Sequence, residues 1–350
     1  MKNLFLLLGL FALASFTDLN ATHVAGGDIQ YRYIGDSTGI PRHYEVLVRL
    51  YRDASPGTAG MPATIPIRVC SSCFADQTIN APLFAGGPGQ IAPTLFDCVT
   101  PGSQGTIPIE YYFYRGFVTL PGNCANFTFA YTLCCRNNAI QNLQGPGGIV
   151  FYITARLNNM FGQNSSPRFV SEPVRAFCVN RTFNWSQNVV ELNGDSLLFK
   201  LAHSKSAGTG CAFNLATYLP GFSALQPITT TPANSLVINP NTGMITFTPA
   251  VSQIVVVAIE VEEYRFDSII SYSWVLVGSS YRDMQIGIAP ACSPLAQQGV
   301  ILDFNAPGVY PDPINGLPTV DYTCLDSAVT LKFSVKLDCS SISPDGTDFR

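Results

Sequence analysis

The stretch Asn123–Asn138, NCANFTFAYTLCCRNN, constrains the fold more than any other part of the chain. From Phe127 to Leu133 the residues alternate, with Phe127, Phe129, Tyr131 and Leu133 on one side and Thr128, Ala130 and Thr132 on the other. That is the period-2 pattern of a half-buried strand. Cys124 precedes it and Cys134 and Cys135 close it, so one strand offers three sulfurs to its neighbours. Successive residues of a strand point to opposite faces, so Cys134 and Cys135 are expected to take different partners, one across the core and one on the outer surface.

The compartment follows from the N-terminus. Lys2, the apolar run Leu4–Ala14 and a more polar segment ending Leu19-Asn20-Ala21 have the order of a secretory signal peptide, with cleavage expected after Ala21. No later apolar run approaches the ~20 residues of a spanning helix, so no transmembrane segment is expected. All eleven cysteines lie beyond the signal: Cys70, Cys73, Cys98, Cys124, Cys134, Cys135, Cys178, Cys211, Cys292, Cys324 and Cys339. Behind a signal peptide such a set reads as disulfides. The number is odd and the end, LDCSSISPDGTDFR, carries no terminating element, so the natural chain is expected to continue past Arg350. A net charge of -4 without a Lys/Arg cluster argues against nucleic acid as a partner.

Hydrophobic residues at 47% support real cores, and no long amphipathic helix is visible, so the expected class is all-β, built as tandem immunoglobulin-like sandwiches stabilised by disulfides. Residues 22–165 form the first, disulfide-rich sandwich. In it Ile29–Tyr33 and Tyr44–Tyr51 make a hairpin, Ser55–Pro108 reads as loops and short strands, Ile107–Leu120 as a pair of strands around Gly116, and Ile149–Leu157 as one more strand. Cys124, Cys134 or Cys135 and one of Cys70, Cys73 or Cys98 are expected to anchor it. Residues 166–289 form an immunoglobulin- or cadherin-like sandwich, with Asn239-Pro240-Asn241-Thr242-Gly243 as a hairpin turn. Residues 290–350 begin a third β module that breaks off early.

Five constellations bear on chemistry. Gly194-Asp195-Ser196-Leu197 spells a serine-esterase motif, but none of His23, His43 and His203 has an aspartate three residues before it, so a turn into a strand is the better reading. Cys70-Ser71-Ser72-Cys73 lacks the helix of a redox pair and the second ligand pair of a zinc site, which leaves structural disulfides. Glu191, Asn193 and Asp195 present oxygen donors at alternate positions, as calcium loops between β modules do, with Glu172 or Glu262 as remote contributors. The densest charges, Glu260, Glu262, Glu263, Arg265, Arg282 and Asp283, are expected to form cross-strand ion pairs linking EVEEYR to YRD. Aromatics at Tyr111–Tyr114 fit core packing better than a sugar platform. No catalytic residue is identified.

The segments THVAGGDIQYRY, LVRLYRD, LPGNCANFTFAYTLCCRNNAI, NSSPRF, NGDSLLFKL, NPNTGMITFTP, EVEEYR and YRDMQI, in this order, resemble the N-terminal β-sandwich modules of Bacteroidota cell-surface proteins, the gliding-motility-associated cargo of type IX secretion. The resemblance implies export, display on the bacterial surface and sandwich modules used as spacers. The expected function is therefore adhesion, motility or matrix assembly through binding, with cell-surface or extracellular-matrix glycans or proteins and neighbouring modules as partners. The alternative is a non-catalytic carbohydrate-binding or spacer region of a larger secreted hydrolase.

Overall fold

The computed structural model describes residues 24–55, 59–91, 109–170, 176–268, 272–290, 309–311 and 318–320. The expected signal peptide, most of the expected third module, Glu172, and Cys98, Cys292, Cys324 and Cys339 lie outside the described residues. Among the described residues the protein is all-β; helix is confined to α1 (Gly35–Thr38) and a 3-10 turn at Pro146–Gly148. No helix among them is long and apolar enough to cross a membrane.

In the first half β1 (Val24–Tyr33) and β2 (His43–Asp53) form the expected hairpin, with α1 in the turn between them. They are followed by β3 (Thr64–Cys70), β4 (Gln77–Ile91), β5 (Ile109–Thr119), β6 (Phe127–Leu133) and β7 (Phe151–Leu157). Two expectations are corrected here. In the described part of the Gly/Pro-rich stretch, residues 59–91, the strands are not all short: β4 is 15 residues long and pairs with both β3 and β5, while 92–108 lie outside the described residues. Its glycines sit where the register against β5 shifts, so the composition is absorbed as irregularities inside a strand. Likewise β5 is one strand rather than two. Gly116 lies within it, opposite Val46, where a Cβ would fall 2.3 Å from Ile79 Cγ2; the glycine serves a close approach, not a turn.

The second half begins with the short strands β8 (Arg168–Phe169), β9 (Ala176–Cys178), β10 (Phe183–Trp185) and β11 (Val189–Val190). Next come β12 (Ser196–Ala202), β13 (Lys205–Ala207), β14 (Phe213–Leu215), β15 (Val237–Ile238) and β16 (Ile245–Phe247), then the long hairpin of β17 (Gln253–Asp267) and β18 (Ser273–Ala289). A last hairpin pairs β19 (Val309–Pro311) with β20 (Pro318–Val320). The turn between β15 and β16 is built as its sequence demands. Asn239 Oδ1 accepts the N–H groups of Asn241 and Thr242, and Gly243 takes φ +70°.

Strand β18 joins the two halves. One of its edges pairs with β17 along the hairpin, while the other takes β7 at residues 278–280 and β1 at residues 282–284. The antiparallel path β1-β2-β5-β4-β3-β6-β7 thus closes on β18, within one 13-stranded sheet that also carries β12 and β13-β14. Two hydrophobic cores flank it. The first gathers Val46, Val48, Ile67, Phe129 and Ile153; the second gathers Phe177, Trp185, Phe247, Val257 and Ile286. Val255, Val257, Ile259 and Val261 of β17 face the second core, whereas Ala258 faces the first and Val256 a satellite cluster with Ile140 and Leu143. Burial on both faces is why this strand reads as an unbroken apolar run.

Disulfides lock the arrangement. Cys73 pairs with Cys124 within the first half, and Cys70 pairs with Cys211 across 141 residues of sequence, tying β3 to the β13–β14 hairpin. The two cysteines of the CSSC motif therefore bond separately. Cys178 is also disulfide-bonded. Cys134 and Cys135 pair with each other, against the expectation of different partners. The strand ends at Leu133, so the alternation that would separate the two sulfurs no longer governs them.

Candidate functional site

Charge in this charge-poor chain is concentrated across the middle of the sheet. Asp28 on β1 lies in register with Arg49 on β2 and Arg282 on β18. Its carboxylate accepts from Arg49 Nε and Nη2 at 3.0 and 2.9 Å, and from Arg282 Nε and Nη2 at 3.0 and 2.8 Å. Asp28 and Arg282 are fully buried. Burial pushes the Asp28 carboxyl up, and the two guanidiniums outweigh it, holding the group below its usual value. Arg282 also stacks over Phe169, 4.1 Å from the ring centroid.

The next residue, Asp283, points the other way, as strand geometry requires. It receives both Nη atoms of Arg136 at 2.6 and 2.9 Å, with Ser204 Oγ and Tyr281 Oη completing its shell. Beside this pair lies Lys205, its Nζ over the rings of Tyr281 and Phe213 at 4.0 and 4.4 Å. Burial lowers its pKa to about 8. The expected ion pairs between EVEEYR and YRD do not form. In the observed register Arg282 sits opposite Ile259 and pairs with Asp28, while Glu262 pairs with Lys200 and Arg265 with Asp195.

Next to the Asp28 ladder, whose Arg49 is part of its lining, a cleft of about 340 Å³ opens between β1, β2 and β5 and the segment around β8. Gln30, Glu45, Leu47 and Phe113 form its floor, and Ser166, Arg168, Val170 and Leu192 its opposite wall. The rim is cationic. Arg32 and Arg115 share the single carboxylate of Glu45, at 2.8 and 3.8 Å, and Arg168 is exposed with no acid partner among the described residues. Aromatic faces adjoin it: the Arg115 guanidinium lies 3.6 Å above Phe84, and His43 stacks on Phe117. Tyr112 and Tyr114 are core residues, in line with the packing expectation.

The turn Glu191–Asp195 is the remaining candidate. Glu191 folds its carboxylate back onto the N–H groups of Asn193, Gly194 and Asp195, and Arg265 clamps Asp195 through Nε and Nη2 at 2.7 and 2.6 Å. Of the expected calcium donors, Glu191 and Asp195 lie together. Asn193 is diverted, its Oδ1 accepting the Ser165 N–H at 2.8 Å, and Glu262 is engaged by Lys200 and Tyr264. The third carboxylate is that of Glu263, within 4.8 Å of the other two. Ser196 of the esterase-like motif is exposed at the start of β12.

Sequence reasoning passed over Asp28, Arg49 and Arg136, and it placed Glu263 among cross-strand ion pairs rather than beside Glu191 and Asp195. The one legible signal was a lone aspartate in the otherwise uncharged stretch VAGGDIQY, which has to be neutralised wherever that stretch is buried.

These features define a disulfide-tied all-β protein with an arginine-rimmed cleft set against a buried charge ladder. No family model matches the chain, and no curated protein or solved structure is found to match it.

Proposed function

We propose that this chain is a secreted protein displayed on a bacterial surface, acting in adhesion, motility or matrix assembly by binding acidic glycans in the cleft beside β1 and β2. The observation that carries the reading is the rim itself: Arg32 and Arg168 line the cleft, Arg32 shares the one carboxylate of Glu45 with Arg115, and Arg168 has no acid partner among the described residues, in a chain whose overall charge is -4. Planar guanidiniums bind carboxylates and sulfates bidentately, and Phe113 with Glu45 and Gln30 supplies a ring face and acceptors and donors suited to sugar hydroxyls. Disulfides that bridge distant strands support folding in an oxidising compartment, as the signal-like N-terminus does. The two cores are read as two immunoglobulin-like modules fused through β18, a rigid body that carries the cleft.

The test is retention of the purified oxidised chain on an immobilised polyuronate against a neutral glucan. Retention on the polyuronate alone, weakening as salt rises, is the expected result. Equal behaviour on both supports would overturn the reading.

A further inference from the structure

Glu263 is fully buried, yet only one of its two carboxylate oxygens is satisfied. Oε2 accepts from Asn164 Nδ2 at 3.1 Å, while Oε1 has no hydrogen-bond partner. Gly278 makes room for this carboxylate, since a Cβ there would fall 2.1 Å from Oε2. Burial, together with the neighbouring Asp195 and Glu191 charges, raises the Glu263 pKa well above its usual value. Three carboxylates facing one arginine, Arg265, leave two negative charges uncompensated when all are ionised.

We propose that Glu191, Asp195 and Glu263 hold one divalent cation, with calcium the best fit, and that this cation fixes the turn forming one wall of the cleft. The donor set is all oxygen, which selects a hard ion over zinc or copper. Calcium accepts an irregular set of oxygens at about 2.3–2.6 Å, whereas magnesium demands near-ideal octahedral geometry at about 2.1 Å and gives up its waters reluctantly. The observed carboxylate oxygens lie within 4.8 Å of one another. They come from a turn and from the long β17–β18 hairpin. The same turn carries Leu192 into the cleft wall and holds Ser165 through Asn193, and the adjacent Ser166 both lines the cleft and accepts the Tyr31 N–H. Occupancy of the cation site thereby fastens the turn and the 164–166 segment to β1 and β17.

The experiment is thermal unfolding of the oxidised chain in chelator, then in millimolar calcium or magnesium, with calorimetric titration of each metal alone. The expected result is a rise in Tm with calcium, a smaller one with magnesium, and its loss in Glu263→Gln. Glu191→Gln, which keeps the side chain's length and one of its two accepting oxygens for the turn, is the second variant and should weaken calcium binding at least tenfold. An unchanged wild-type Tm with no heat of binding would overturn the proposal, as would variants that respond to calcium like the wild type. None of these readouts involves a glycan, so their failure is separate from failure of the binding reading above.

Discussion

At the residue scale the buried charges decide most. Asp28 serves two arginines at once, so Asp28→Asn removes the negative charge between two buried guanidiniums and should cost about 3–5 kcal/mol in urea unfolding. Glu45→Gln, which acts on partly exposed pairs, should cost less than about 1 kcal/mol. Similar losses for the two variants would mean that the ladder is not the buried electrostatic centre described here. Lys205 gives a pH signature. Its folded pKa is depressed to about 8 while the unfolded chain keeps the ordinary value of 10.5. Between pH 8 and 10 the unfolded state binds the proton that the folded state has lost, so stability rises with pH across that window, by at most about 1.4 kcal/mol per unit. Denaturant melts through the window should show this slope in the wild type and not in Lys205→Met. A wild-type slope of the opposite sign would contradict the assignment.

At the scale of elements, what could be read from sequence was what repeats with a strand's period. The alternation of Phe127–Leu133 gave β6, and the Asn239–Gly243 turn chemistry gave the β15–β16 hairpin, because local hydrogen bonds and backbone conformation settle both. What could not be read was pairing between distant strands. Nothing in YRD tells Arg282 to seek Asp28 and Asp283 to seek Arg136, 254 and 147 residues away; the register of β18 against β1 and the turn after β6 does that. Gly116 illustrates the same point, since a glycine in an aromatic run suggests a break until Ile79 is seen against it. Gly116→Val should therefore destabilise by about 1–3 kcal/mol through overpacking, measured as a lowered Tm; an unchanged Tm would mean that Ile79 has room to move.

At the scale of the whole molecule, the closure of seven strands onto β18 and the Cys70–Cys211 bridge make the two halves mechanically one body. Replacing both cysteines by serine should cost about 2–5 kcal/mol and lower the Tm of the oxidised chain. Non-reducing peptide mapping should recover Cys70 with Cys211 and Cys73 with Cys124; free alkylation of these four would contradict the framework. The candidate cleft lies beyond the reach of sequence because its walls, β1, β2, β5 and the segment around β8, meet only through the fold, and Glu263 joins Glu191 and Asp195 for the same reason.

The central claim, that the arginine rim recognises acidic glycans, is tested most directly by calorimetric titration of a uronate oligosaccharide into the wild type and Arg168→Ala. Arg168 is exposed and makes no ion pair with the described residues, so its loss should leave the Tm unchanged while weakening binding about tenfold, the equivalent of one charge-assisted contact of about 1.4 kcal/mol. Equal affinity of the two proteins, or no binding by either, would contradict the account.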